Sequence, residues 1–314
     1  MIGICRPAWG DALEERFETM WEALWTQTGV PVTLRRWSGE IRVRFTGAEA
    51  NAYRDEAWRA LSVATQAAGI DLRDVSAAES AADLANLEFQ LLPEDNLPPA
   101  DHMICKSRLQ SVQQSRIMQA VIEVRARRFA FCGYHEVMHA MGIPGHPTRG
   151  TVLAYFAPPV RDALTPMDVL ILRAWYSPRL RPGATPFETL FVMTDTVVDA
   201  VEEPKREEAQ RTQLVFLEKT LKEMERYALG QGEIPAIVLR SGWTTEKAMA
   251  FTQMQMGYIV GVAHLRGIGA PPDPEQARIW FERGAEKGSQ PAKIMLERLF
   301  IKPAPSVATP RPQE

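Results

Sequence analysis

The chain has 314 residues, 46% hydrophobic and 24% charged, a size and composition typical of a globular protein with about two domains. Its formal net charge of -3 and its pI near 6.1 exclude the strongly basic surface that binds nucleic acid or an anionic membrane. No apolar run approaches the roughly 18 residues that span a bilayer, and Met1–Gly10 lacks the basic and apolar regions of a secretory signal.

The first predicted element is an amphipathic helix over residues 11–27, because apolar side chains recur there at helical spacing. These side chains are Leu13, Phe17, Met20, Trp21, Leu24 and Trp25. The helix is expected to end before Gly29-Val30-Pro31, and we assign residues 1–33 to an N-terminal segment. This segment is either a helix packed on the body of the protein or an inhibitory pro-segment whose Cys5 thiolate binds a metal.

An α+β domain is predicted over residues 34–183 from the order of its elements. Residues 34–45 end in an alternation of apolar and charged side chains, which indicates a strand with one buried face. An alanine-rich helix over residues 48–68 is expected to stop at Gly69. Further strands are predicted at 70–75, 84–92, 103–109 and 117–124, with a loop over 93–99.

Two cysteines, Cys105 and Cys132, bracket the segment that leads into the histidine cluster described next. A disulfide between them would stabilise the fold by about 3–4 kcal/mol in the chain-entropy model and would require an oxidising compartment. Two buried free thiols are the alternative. Two locations therefore stay possible. The lack of a signal in this sequence favours the cytoplasm. A disulfide favours the periplasm or secretion, which would need a signal that this sequence lacks.

Three of the five histidines lie close together, and His135 and His139 are four residues apart with Glu136 beside the first. Positions i and i+4 share one face of a helix, so both imidazoles can bind one metal ion while Glu136 lies next to it. This is the HExxH arrangement of zinc hydrolases. A coincidental match on a core helix is the alternative.

His146 is the predicted third metal ligand. A zinc hydrolase site has three protein ligands and one open position for water. Gly142 can adopt a left-handed conformation that turns the chain back toward the helix, and Pro144-Gly145 then bring His146 to the site. A histidine in a surface loop is the alternative.

The motif His135-Glu136-x-x-His139-x-x-Gly142-x-x-x-His146 resembles the zinc motif of the metzincin metallopeptidases, with one additional residue after the glycine. A weaker similarity covers residues 34–183, and the end of this range resembles a bacterial metzincin-like domain family of unknown function. The resemblance implies a zincin domain with a mixed twisted sheet and an active-site helix. It also implies Zn²⁺ as the cofactor and Glu136 as the general base.

Thr151–Tyr155 resembles the methionine-containing turn that lies below the zinc in metzincins. Leu153 takes the place of the methionine and would keep the floor of the site apolar. Tyr155 takes the place of a tyrosine that contacts the zinc or the oxyanion in some members, which implies that it stabilises the oxyanion. A tyrosine packed in the core is the alternative.

Residues 164–176 are predicted to form the helix that closes the lower half of the cleft. Thr165 is its expected N-cap and Pro166 its first residue. Asp168 lies three residues after the N-cap, where a carboxylate completes a variant of the capping box.

Residues 184–303 are predicted to be an all-α region with helices at 187–201 and 205–229. Within it, residues 257–300 resemble one Sel1-like repeat in the spacing of glycine, alanine and aromatic residues, although His264 and Gly284 depart from the pattern. His264 is interpreted as a packing residue. One repeat cannot bury its own apolar face, so it packs on the preceding helices or binds a protein partner. The polar tail at 304–314 is expected to be disordered.

The sequence therefore predicts a zinc metalloendopeptidase acting on proteins or peptides, with an exposed strand edge that pairs with the substrate. The alternative is a non-catalytic adaptor that uses the metzincin-like domain as a scaffold and the helical repeat to bind a partner. The intact Glu136 favours the enzyme, because a scaffold needs no general base.

Overall fold

The computed structural model of the protein describes residues 13–77, 84–93, 105–154, 162–239 and 245–300. Cys5, Tyr155, nearly all of the predicted loop at 93–99 and the tail at 304–314 lie outside these ranges. The predictions made for them stay predictions.

A six-stranded mixed sheet is the framework of the N-terminal half, as the α+β prediction requires. Four of its strands, β2, β3, β4 and β6, lie parallel in the order β3-β2-β4-β6, and the short β1 also pairs parallel with β6. The remaining strand, β5, pairs antiparallel with β6 on the side away from β4. The strands are β1 Arg36–Trp37, β2 Ile41–Thr46, β3 Leu72–Asp74, β4 Leu87–Leu92, β5 Cys105–Gln113 and β6 Arg116–Arg125.

One face of the sheet is buried, as the alternating pattern predicts. Ile41, Val43 and Phe45 of β2 are buried while the residues between them are partly exposed. Helices α2, Ala50–Ala68, and α3, Phe129–Ala140, pack on the sheet and on each other. Helix α2 ends at Gly69 in the left-handed conformation, with φ +66°, which confirms the predicted stop.

The remaining helices pack around this layer and continue its core. They are α1 Leu13–Glu22, α4 Pro166–Trp175, α5 Pro186–Asp199, α6 Arg206–Ala228, α7 Ala236–Leu239, α8 Glu246–Arg266, α9 Pro274–Glu286 and α10 Gln290–Leu299. Helix α1 packs on α5 and α6, where the Phe17 and Phe216 rings lie 5.5 Å apart. It is thus a helix packed on the body of the protein. The proposed divisions after residues 33 and 183 stay predictions.

The glycines of the C-terminal helices allow close packing. A Cβ atom at Gly257 of α8 would lie 2.5 Å from the Cα atom of Gly284 in α9, so these backbones meet directly. This contact explains why glycine replaces the alanine expected at residue 284.

His264 is buried, and its Nε2 atom lies 2.6 Å from a carboxylate oxygen of Glu225 in α6. Within the described ranges, no helix is both long and apolar enough to cross a membrane.

Candidate metal centre

Helix α3 carries His135, Glu136 and His139, and a tight turn follows it. Gly142 has φ +100°, and a Cβ atom there would overlap the carbonyl oxygen of Arg35. Only glycine is free of strain in this conformation and at this close approach. The chain therefore turns back as predicted, and His146 returns to the helix.

The three histidines meet at their Nε2 atoms. The distances are 3.1 Å between His135 and His139, 2.9 Å between His139 and His146, and 3.2 Å between His135 and His146. One additional residue after Gly142 therefore does not keep His146 from the cluster. Within the described part of the chain, these three histidines are the one group of histidine, cysteine or acidic side chains that lie close enough together to hold a metal ion.

The other ring nitrogens show which tautomer two of these histidines adopt. Nδ1 of His135 lies 3.0 Å from the carbonyl oxygen of Val152, and Nδ1 of His139 lies 2.7 Å from that of Ile143. Because a carbonyl oxygen only accepts hydrogen bonds, both Nδ1 atoms donate, and both Nε2 atoms of the neutral rings keep their lone pairs. Two such lone pairs that face each other repel unless a cation lies between them.

The protonation of the triad fits the same arrangement. Burial lowers the pKa of all three imidazoles. For His139 and His146 the neighbouring rings lower the pKa further, to about 3 and about 2. All three rings are therefore neutral at neutral pH, which is the form that binds a metal. Tetrahedral zinc has Zn–N distances of about 2.0–2.1 Å, which places its ligands roughly 3.3 Å apart, close to the observed spacing.

Glu136 is buried on helix α3 directly after His135, and Ser107 of strand β5 holds its carboxylate. Both the hydroxyl and the backbone N–H of Ser107 donate hydrogen bonds to its carboxylate. Burial nevertheless raises the pKa of Glu136 to about 7, because desolvation penalises the charged form more than these two hydrogen bonds favour it. The carboxylate is thus fixed in position between the helix and the outer strand of the sheet.

A disulfide between Cys105 and Cys132 makes a second connection between β5 and α3, with the Cα atoms 6.2 Å apart. It resolves the choice between a bridge and free thiols. Cys105 and Ser107 share one face of β5, and Cys132 and Glu136 share one face of α3. The disulfide and the Ser107–Glu136 pair therefore fasten the same two surfaces together.

The turn at residues 151–154 orients His135 through the Val152 carbonyl. The backbone N–H of Val152 lies 3.1 Å from a carboxylate oxygen of Asp168, which is fully buried. Leu153, the predicted apolar floor, is also fully buried. The turn at residues 151–154 and the first turn of α4 are therefore connected, and together they support His135 of helix α3.

The predicted capping box of α4 is present. The Thr165 hydroxyl accepts a hydrogen bond from the Asp168 backbone at 3.1 Å, and the Asp168 carboxylate accepts one from the Thr165 backbone at 2.8 Å. Asp168 thus has two roles, as part of the cap and as the acceptor for Val152. The sequence motif predicts only the first role.

Three residues at the site were missed by the sequence predictions. They are Ser107, which binds Glu136, Gln27, whose amide nitrogen lies 3.5 Å from Nε2 of His146, and Glu22, which binds the loop after His146. None of them belongs to a motif. Glu22 does not stand out either, because it is one of four glutamates in the predicted N-terminal helix.

Comparison with known proteins gives two matches. A family described as "Protein of unknown function (DUF2927)" matches residues 16–195, more than half of the chain. The Sel1 repeat matches residues 251–289, which confirms the predicted repeat and suggests a protein–protein interaction. Neither match is to the metzincins. No curated protein and no solved structure matches the chain.

Proposed function

We propose that this chain, which belongs to the DUF2927 family, is a zinc-dependent metallopeptidase that hydrolyses peptide bonds in proteins or peptides. The observation that carries the proposal is the triangle of Nε2 atoms from His135, His139 and His146, with Glu136 on the same helix. Three neutral imidazoles whose Nε2 atoms lie about 3 Å apart suit a zinc ion. The carboxylate of Glu136, the next residue after His135, suits a general base.

In this proposal each residue has a defined task. The three histidines hold the ion, and the carbonyl oxygens of Val152 and Ile143 keep two of the rings in the binding orientation. Bound zinc supplies Lewis acidity, which activates a water molecule and polarises the scissile carbonyl group. Glu136 accepts a proton from the attacking water and passes it to the leaving amine.

A peptide substrate is favoured by the outer strand of the sheet. Among the described residues β5 pairs with β6 alone, and its face toward α3 carries Ser107, which holds Glu136. An extended peptide added along the other edge of β5 would run beside the site. The HExxH motif and the mixed sheet support a metzincin-like peptidase, and stabilisation of the oxyanion by Tyr155 is part of this proposal.

An adaptor function is the second candidate, because the Sel1 repeat suggests binding of another protein. In that case the metzincin-like domain is a scaffold, and a metal ion at the triad stabilises it. The two functions share the same metal site and differ in whether Glu136 acts on a substrate. The Cys105–Cys132 disulfide favours an oxidising compartment, such as the periplasm or the exterior, for either function.

Removal of the metal tests the proposal. We expect the zinc-loaded protein to cleave members of a mixed peptide library, a chelator to reduce cleavage to background, and added Zn²⁺ to restore it. The products are identified by mass spectrometry, which also defines the specificity.

The outcomes separate the two functions. Cleavage that persists after the metal is removed would contradict a metallopeptidase. A protein that binds zinc at the triad but cleaves no peptide would favour the adaptor.

A further inference from the structure

The loop that carries His146 lies against the end of helix α1. The backbone N–H of Gly145 donates to the carbonyl oxygen of Ala23 at 3.1 Å. A Cβ atom at Gly145 would overlap the carbonyl oxygen of Glu22, so the two backbones touch directly. The residue next to the third histidine is therefore placed by a segment that lies more than a hundred positions earlier in the sequence.

Glu22 forms the polar part of this contact. Its side chain is 6% exposed, and its carboxylate accepts hydrogen bonds from the backbone N–H of Thr148 at 2.6 Å and from the Thr148 hydroxyl at 3.1 Å. Thr148 lies two residues after His146. Hydrogen bonds to a buried carboxylate are among the stronger ones in proteins, and a glutamate is rarely buried without such partners.

Helix α1 is itself held firmly by the C-terminal helices. The Trp21 and Phe187 rings lie 5.5 Å apart, and the buried hydroxyl of Thr252 in α8 donates to the carbonyl oxygen of Gly29 at 3.1 Å. Gln27, between these contacts, reaches His146. Residues 22–29 therefore lie between the helix that enters the Sel1 repeat and the third histidine.

From these contacts we infer that Glu22 is a positioning residue for His146. It fixes the loop so that the Nε2 atom of His146 faces those of His135 and His139. This inference rests on the proposed metal site but not on peptidase activity. By this inference, helix α1 contributes to the geometry of the metal site.

Two variants and a control test the inference. Glu22→Ala removes the acceptor, so zinc affinity measured against a chromophoric chelator is expected to fall by about 10–100-fold, as is usual when a partner that orients a metal ligand is lost. Glu22→Gln keeps an acceptor oxygen for Thr148, and it is expected to restore most of the affinity. Glu14→Ala removes an exposed carboxylate from the same helix and should leave the affinity unchanged.

Amide hydrogen exchange of the metal-free protein provides a readout that does not depend on zinc. In Glu22→Ala the loop at residues 145–149 is expected to exchange faster than in the wild type and in Glu14→Ala, while α3 stays protected. Zinc affinity in Glu22→Ala equal to that in Glu14→Ala would overturn the inference. If the wild type binds no zinc, the proposed function fails, and unchanged exchange of the loop then overturns the role of Glu22 as well.

Discussion

Replacement of Glu136 by glutamine is expected to lower the kcat for peptide cleavage by about 10²–10⁴-fold, the usual contribution of a general base. An amide has nearly the shape of a carboxylate and still accepts hydrogen bonds from Ser107, but it cannot take a proton from water. The three histidines are unchanged, so zinc content is expected to stay at the wild-type level. Single-turnover kinetics on a peptide identified from the library measures the effect.

Glu88→Gln is a matched control for this variant. Glu88 is a partly buried carboxylate on β4 that accepts a hydrogen bond from Thr46 at 3.1 Å, and it points away from the buried face of the sheet. Its replacement should leave kcat within a few-fold of the wild type. Equal rates for the wild type and Glu136→Gln would show that cleavage does not use this carboxylate.

Replacement of His139 by alanine is expected to weaken zinc binding severely. Its Nε2 atom lies 3.1 Å from that of His135 and 2.9 Å from that of His146, so it is close to both partners. Zinc binds structural sites with roughly 10–16 kcal/mol shared among four ligands, so the loss of one ligand lowers affinity about 100-fold or more. Competition with a chelator of known affinity measures the change.

His264→Gln is the control, because His264 is a buried histidine far from the triad in sequence that binds Glu225 in α6. Glutamine can keep that hydrogen bond, so zinc affinity should not change. If His139→Ala binds zinc as tightly as His264→Gln, the triad is not the metal site.

The parts of the structure that the sequence predicted well are those determined by neighbours along the chain. Two histidines four residues apart must share a face of a helix. The capping box of Thr165 and Asp168 spans four residues, and the end of α2 needs only Gly69 in the left-handed region. In each case local geometry and side-chain chemistry determine the result, so a short pattern is sufficient.

The contacts that complete the site join distant segments. Thr148 and Glu22 are separated by 126 positions, and Ser107 reaches Glu136 only because β5 is the outer strand next to α3. The spacing of residues along the chain does not predict contacts between segments that are so far apart. For the same reason, the sequence could not decide between a Cys105–Cys132 disulfide and two free thiols. The positions of two cysteines in the chain do not reveal the distance between them in the fold.

The measurement that tests the central claim most directly is anomalous X-ray scattering at the zinc edge from crystals of the zinc-loaded protein. We predict one zinc ion per chain, bound to the Nε2 atoms of His135, His139 and His146. The absence of zinc, or zinc bound elsewhere on the chain, would contradict the account.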